Sequence, residues 1–309
     1  MHTVLITGAA GFIGSHVAHE AARRGVTLTL LSHRRPVLPL GPSHRIVSAD
    51  LTEPDSVHGV CEGVDTVLHC ASYVGSASEA NEAVNARGTM HLVAEARRSG
   101  VSRIVYVSTA SVYGRGIFRG ARPGQLVRNP GSPTSASRAA AEDTVLDAGG
   151  IVLRPHLVHG AGDLWMVPGL VRLLRTLPGG VEDWSALLSV VSVRDLARLV
   201  VSTGLAPRRD LTSTTYHATH PVPVTAETLL RAAAACASLP WPRQNVSVTR
   251  ARAFLAADRQ ASHALSMLST DHWFDGLQLW RDLGLTPGPD FRADFAESAN
   301  WYRCALLTA

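Results

Sequence analysis

"TVLITGAAGFIG", residues 3–14, decides the fold. Its first five residues are a short apolar run rich in β-branched side chains, which suits a buried strand. Gly8, Gly11 and Gly14 follow at G-x-x-G-x-x-G spacing. Glycine lets such a turn close and lets the backbone approach a pyrophosphate, which then rests on a helix N-terminus. From Phe12 the pattern becomes helical and stops at Gly25, a good helix-terminating residue. Strand, turn and helix in this order predict a dinucleotide site, with Gly8, Gly11, Phe12 and Ile13 against the cofactor.

The same rhythm continues outward. "TLTLL" (27–31), "RIVSAD" (45–50), "DTVLHCAS" (65–72), "RIVYVSTAS" (103–111) and "GIVLRP" (150–155) read as strands. Helical patterns over about 54–62, 79–98 and 134–148 separate them. Near-continuous apolar strands alternating with helices predict an α/β fold, a doubly wound parallel sheet buried on both faces. Past residue 160 the rhythm changes. "MVPGLVRLLRTL", "RDLARLVVSTG" and "TAETLLRAAAACASL" read as helices, and "SALLSVVSV" and "TTYHAT" as strands. A Rossmann domain over 1–160 and a smaller substrate-binding lobe over 161–309 follow. Phe254, Ala261, Leu265 and Leu268 recur at helical spacing, so 249–268 is expected to be helical and to cover the substrate opening as a lid.

Composition narrows the class. The chain has 309 residues, 46% hydrophobic and 17% charged, with mean hydropathy +0.09, a foldable globular balance. No stretch approaches the roughly 20 apolar residues of a membrane span. No basic leader precedes the first strand, which predicts a cytoplasmic protein. Cys61, Cys70, Cys236 and Cys304 form no close pair, and the His16/His19 and His156/His159 pairs lack a carboxylate to complete a metal set. No metal is expected. Net charge is +4, and every basic residue is arginine. No lysine is present to act as base or proton relay. The arginines are scattered, so neither nucleic acid nor a membrane is expected as partner.

The end of the second strand bears on cofactor choice. An acidic residue there grips the adenosine ribose of NAD. This chain has Ser32, His33, Arg34 and Arg35 instead, a hydroxyl and guanidinium groups suited to a 2′-phosphate. NADP is therefore expected, with Asp50 and Leu51 beside the adenine.

"TGAAGFIG", "SADLTEPDSV", "VLHCAS", "NARGT", "VSTASVYG" and "RPHLVHGAG" come in an order and spacing that resemble the extended short-chain dehydrogenase/reductase family, over nearly the whole chain. The resemblance implies a Rossmann fold and places Cys70, Ala71, Ser72, Pro155, His156, Leu157 and Val158 along the cofactor. The family's catalytic Ser/Thr falls on Thr109 and its Asn on Asn85. Its Tyr and Lys fall on Thr134 and Arg138 in "PTSASRAAAED". A Thr hydroxyl is a far weaker acid than a phenol, and a guanidinium holds ribose but relays no proton. Thr134 is accordingly expected to be non-essential, with Arg138 retained as a cofactor contact.

The Thr/Arg replacement and the lysine-free composition also look similar to tyrosine-less ketoreductases of angucyclinone antibiotic tailoring, the simocyclinone type. That likeness implies an NADPH-dependent ketoreductase acting on an aromatic polyketide, whose neighbouring phenol stabilises the developing charge. Tyr73, Tyr113 and His159 are the expected substrate contacts. Two further readings stand beside it: a non-catalytic NADP-binding sensor, and a nucleotide-sugar epimerase or dehydratase.

Overall fold

The computed structural model describes residues 2–37, 40–41, 44–182, 184–242 and 244–307. Seven parallel strands form the main sheet: β1 Thr3–Thr7, β2 Thr27–Ser32, β3 Arg45–Ser48, β4 Thr66–His69, β5 Arg103–Val107, β6 Ile151–Arg154 and β7 Thr215–His217. Their order is β7-β6-β5-β4-β1-β2-β3. The chain winds outward from β1 in both directions, so strand order reverses beside β1. Ligands of open α/β sheets bind at that switch point. The expected doubly wound sheet with a smaller C-terminal lobe is what the chain forms.

The longer helices are α1 Phe12–Arg23, α2 Gly88–Arg98, α3 Pro133–Asp147, α4 Met166–Thr176, α5 Val193–Leu205, α6 Ala226–Cys236, α7 Val248–Phe254, α8 Arg259–Leu268 and α9 Phe291–Leu307. Val17, Ala21, Leu196, Leu199 and Val200 of α1 and α5 bury one sheet face over Val4, Ile6, Leu28 and Leu30. Leu92, Val93, Ala96, Ala141 and Val145 of α2 and α3 bury the other, over Leu5, Leu31, Val67 and Val152. Local chemistry sets the helix starts. The Ser132 hydroxyl accepts from the Ser135 N–H at 3.1 Å, and Pro133 opens α3 without a backbone donor to satisfy.

The lobe has its own core, in which Leu170, Leu173, Leu188, Leu229, Leu230, Leu265, Leu268 and Phe295 meet. The segment 249–268 forms two helices, α7 and α8, broken by a turn at residues 255–258. Ala251, Ala261, Leu265 and Leu268 face that core, while Phe254 is exposed. A four-stranded sheet, ordered Val224–Thr225, Leu187–Leu188, His272–Phe274, Phe118–Ala121, ties the lobe to the segment after β5. Two local expectations change. "SALLSVVSV" divides into Leu187–Leu188 and Val190–Ser192 in different sheets, because buried Ser189 bonds to the strand His272–Phe274. The helix expected over 54–62 stops at Val57, and Gly59 lies in the left-handed region at φ +82°. No helix among the described residues is long and apolar enough to cross a membrane.

Candidate active site

The C-terminal ends of β1 to β6 converge on one cleft. Its dinucleotide half has a volume of about 480 Å³ and is lined by Gly8, Gly11, His33, Arg34, Arg35, Asp50, Leu51, Cys70, Ala71, Ser72 and Tyr73, among others. The glycine turn has no room for side chains. A Cβ on Gly8, whose φ is +70°, would stand 2.7 Å from the Ala71 nitrogen. One on Gly14 would stand 2.1 Å from the Gly8 carbonyl oxygen. The turn is therefore a bare-backbone cradle at the start of α1, which fits a pyrophosphate. Phe12 packs instead near Gly162, 3.1 Å from where its Cβ would be.

At the adenosine end, His33 Nε2 lies 3.1 Å from the Asp50 carboxylate. Burial acts to raise the Asp50 carboxyl, but hydrogen bonds from Thr52 and the charges of His33 and Arg34 hold it below its ordinary value. The Ser32 hydroxyl donates to the Arg35 carbonyl at 3.1 Å, and Arg34 and Arg35 are exposed.

The site floor is rigid. His69 Nδ1 lies 2.6 Å from the Thr7 hydroxyl and Nε2 lies 2.9 Å from that of Thr89. Thr89 donates to the Asn85 carbonyl, so it accepts from Nε2–H, and Thr7 donates to Nδ1. Thr7 also accepts the Ala71 N–H at 3.1 Å, which sets the cleft wall. Burial lowers His69 to about 3, with the Arg138 charge adding to it, so the imidazole is neutral. Burial pushes the Cys70 thiol up to about 12, which leaves no thiolate in the cleft.

Asn85 sits in a π-helical stretch, Glu82–Arg87. Its Oδ1 accepts from the Tyr73 N–H at 2.8 Å, and its Nδ2 donates to the Tyr73 carbonyl and the Ser137 hydroxyl, each at 3.0 Å. Thr109 caps the short turn Ala110–Tyr113 and accepts from the Ser111 N–H at 3.1 Å. The Thr134 hydroxyl donates to the Gly75 carbonyl at 3.1 Å. Arg138 donates to the Ser72 hydroxyl at 3.3 Å and to the Val107 carbonyl, with its Nε buried and unpartnered. His156 Nε2 is likewise buried and unpartnered. The His156 ring packs on His272 and Phe274, so it is Arg138, with the glycine cradle, that fits a dinucleotide along the cleft.

Other sequence-derived positions lie deeper. Leu157 and Val158 pair with Val190 and Val191 in a short parallel ladder. Tyr113 is 2% exposed, and its hydroxyl accepts from Arg154 at 2.7 Å and meets His217 Nε2 at 2.7 Å. His159, 2% exposed, packs on Phe291 and Phe295. Sequence reading missed the buried pair beneath Tyr113, Arg154 with Glu142 at 2.6 Å. No motif marks it, since the partners come from different elements.

A family model described as the NAD dependent epimerase/dehydratase family matches residues 4–216. The 3 beta-hydroxysteroid dehydrogenase/Delta 5-->4-isomerase of Mycobacterium tuberculosis is 26% identical over 320 residues, covering 92% of this chain and 86% of that protein. Among solved structures, Bordetella bronchiseptica WbmH in complex with NAD+ superposes with a TM-score of 0.78 at 22% identity, over 98% of this chain and 99% of that one. MoeE5 in complex with UDP-glucose and NAD gives 0.73 at 23%, over 99% and 100%.

These findings correct three expectations. The likeness to angucyclinone-tailoring ketoreductases gives way, because the matching model is that of epimerases and dehydratases. The aromatic polyketide expected as substrate falls with it; the bound substrate named in a neighbouring structure is a nucleotide-sugar. The expected NADP gives way as well, since the family model that matches is described as NAD dependent. With its cradle, sheet order and matched length, this chain belongs to the NAD dependent epimerase/dehydratase family, within the extended short-chain dehydrogenases/reductases.

Proposed function

We propose that this protein is an NAD-dependent enzyme that modifies a nucleotide-sugar at a carbinol of its hexose. The observation that carries the reading is the bare glycine cradle, in a cleft that Arg138 reaches through Ser72, in a chain of this family. Gly8, Gly11 and the start of α1 hold the pyrophosphate. Asp50 accepts from the adenosine end. Arg138, with its unpartnered Nε, holds the nicotinamide ribose. The bound nicotinamide supplies hydride acceptance and donation. The Thr109 hydroxyl at the end of β5 positions the sugar hydroxyl, and the lobe after residue 160 covers the sugar and its nucleotide.

The test is direct. The protein is titrated with NAD and NADP by calorimetry, then incubated with NAD and UDP-glucose, UDP-glucuronate or dTDP-glucose. NAD is expected to bind more tightly than NADP, and at least one sugar is expected to give new anomeric proton signals. Three unchanged sugars overturn the reading. A second substrate class, a steroid or acyl carbinol, is favoured by the 26% identity to the hydroxysteroid dehydrogenase over 92% of this chain and by the 26% identity to the 2-alkyl-3-oxoalkanoate reductase of Shewanella oneidensis over 90% of it.

A further inference from the structure

We propose that Tyr73 is a catalytic acid and base of this site, supplying from the loop after β4 the phenol that α3 lacks. The inference rests on the nucleotide-sugar reading for its substrate. The chain has five tyrosines. Tyr106, Tyr113, Tyr216 and Tyr302 are 1%, 2%, 2% and 0% exposed. The hydroxyls of Tyr113, Tyr216 and Tyr302 are engaged by Arg154 and His217, by Ser213 and Asp282, and by Gly160 and Asp163. Tyr106 is sealed between His69 and Arg138. Tyr73 alone is part-exposed and lines the dinucleotide cleft. Among the described residues, its hydroxyl has no hydrogen-bond partner.

Its placement is built rather than incidental. A Cβ on Gly75 would stand 2.7 Å from the Tyr73 hydroxyl and 2.9 Å from Cζ, so the ring lies directly over Gly75 and a side chain there would have to displace it. The Gly75 carbonyl accepts from Thr134 at 3.1 Å and from Asn81 at 2.8 Å. Gly75 thus joins the phenol to the helix position where a tyrosine is missing. Asn85 clamps the Tyr73 peptide from both sides, and Asn81 and Asn85 are 0% and 1% exposed. Buried amides from one helical segment therefore hold rigid a loop whose aromatic side chain forms no bond of its own. A preorganised polar group with no internal partner suits a group awaiting a ligand.

The alternatives in the cleft are poorer. Aliphatic hydroxyls such as Thr109 are far weaker acids than a phenol. The guanidinium of Arg138 keeps its proton. In the oxidative half, the sugar carbinol loses its C–H hydride to the nicotinamide and its O–H proton to the Tyr73 oxygen. A carbonyl and a neutral phenol remain. In the reductive half, hydride returns to carbon and the phenol proton returns to oxygen. Arg138 reaches from α3 to the hydroxyl of Ser72, the residue before Tyr73.

Two readouts test this. Nitration by tetranitromethane, mapped by mass spectrometry, is expected at Tyr73 and not at the other four tyrosines. NAD with UDP-glucose at about ten times its Kd is expected to suppress it roughly tenfold. Nitration undiminished by bound UDP-glucose overturns the proposal. In turnover, Tyr73→Phe is expected to lower kcat by roughly 10² or more while the Kd for NAD stays within about twofold. Tyr73→Phe/Thr134→Tyr is expected to recover at least about tenfold of that loss, by restoring the phenol on α3. A Tyr73→Phe variant within about fivefold of the parent overturns the proposal. Turnover confined to a 3β-hydroxysteroid or a 2-alkyl-3-oxoalkanoate overturns the nucleotide-sugar reading instead, and Tyr73 is then decided by the same comparison on that substrate. No turnover with any of these overturns both.

Discussion

His69→Leu is expected to change the pH dependence of stability by about one proton. The imidazole is 1% exposed and lies between the Thr7 and Thr89 hydroxyls. Burial lowers its folded value to about 3 from an ordinary 6.5. The folded value is depressed, so the unfolded chain binds the extra proton at intermediate pH. The stability contribution is therefore complete above about pH 6.5 and is lost as pH falls below it. Each pH unit below that point costs about 1.4 kcal/mol, so roughly 2 kcal/mol disappears between pH 7 and pH 5. Leucine removes the titration. At pH 7 it costs about 1–3 kcal/mol, because Thr7 loses the acceptor of its hydroxyl. That cost is expected to shrink by about 2 kcal/mol at pH 5. His217, also lowered to about 3 by burial, titrates in both proteins and cancels in the difference. Urea unfolding at pH 5, 6, 7 and 8 measures it. A parent-minus-variant difference constant across the range would refute the neutral, buried imidazole.

Glu142→Gln is expected to destabilise the fold by about 3–5 kcal/mol, since Arg154 is left buried with an uncompensated charge; thermal unfolding checks it. Gly8→Ala adds a left-handed penalty to a clash with the Ala71 backbone, about 2–4 kcal/mol together. NAD titration should show its binding lost before the fold is. Arg138→Ala is expected to weaken NAD binding by roughly tenfold, about 1.4 kcal/mol, with Arg138→Lys recovering only part of it by calorimetry.

Much of the fold was legible because its signals are local. Apolar strand runs and the glycine turn depend on neighbours within a few residues. The split at Ser189 was not legible, since its partners are the backbone of residues 272–274. Cofactor choice misled for a related reason. Ser32, Arg34 and Arg35 are the right residue types for a 2′-phosphate, and Arg34 and Arg35 do stand exposed, so the end of β2 by itself does not separate the two dinucleotides; the family match does.

The sequence by itself determined the sheet, its winding and the cleft at its strand ends, and it marked Thr134 and Arg138 as departures. Hydrophobic period and glycine spacing suffice for the sheet and its cleft, and the family resemblance for the two departures. Only the tertiary structure decided which side chains stand free in the cleft. Tyr73 and Tyr113 are alike as letters. One is sealed against Arg154 and His217, more than 40 residues away along the chain. The other lies over Gly75, where a methyl group would displace it. Availability of a polar group depends on partners brought from distant elements, and such partners leave no trace in local spacing.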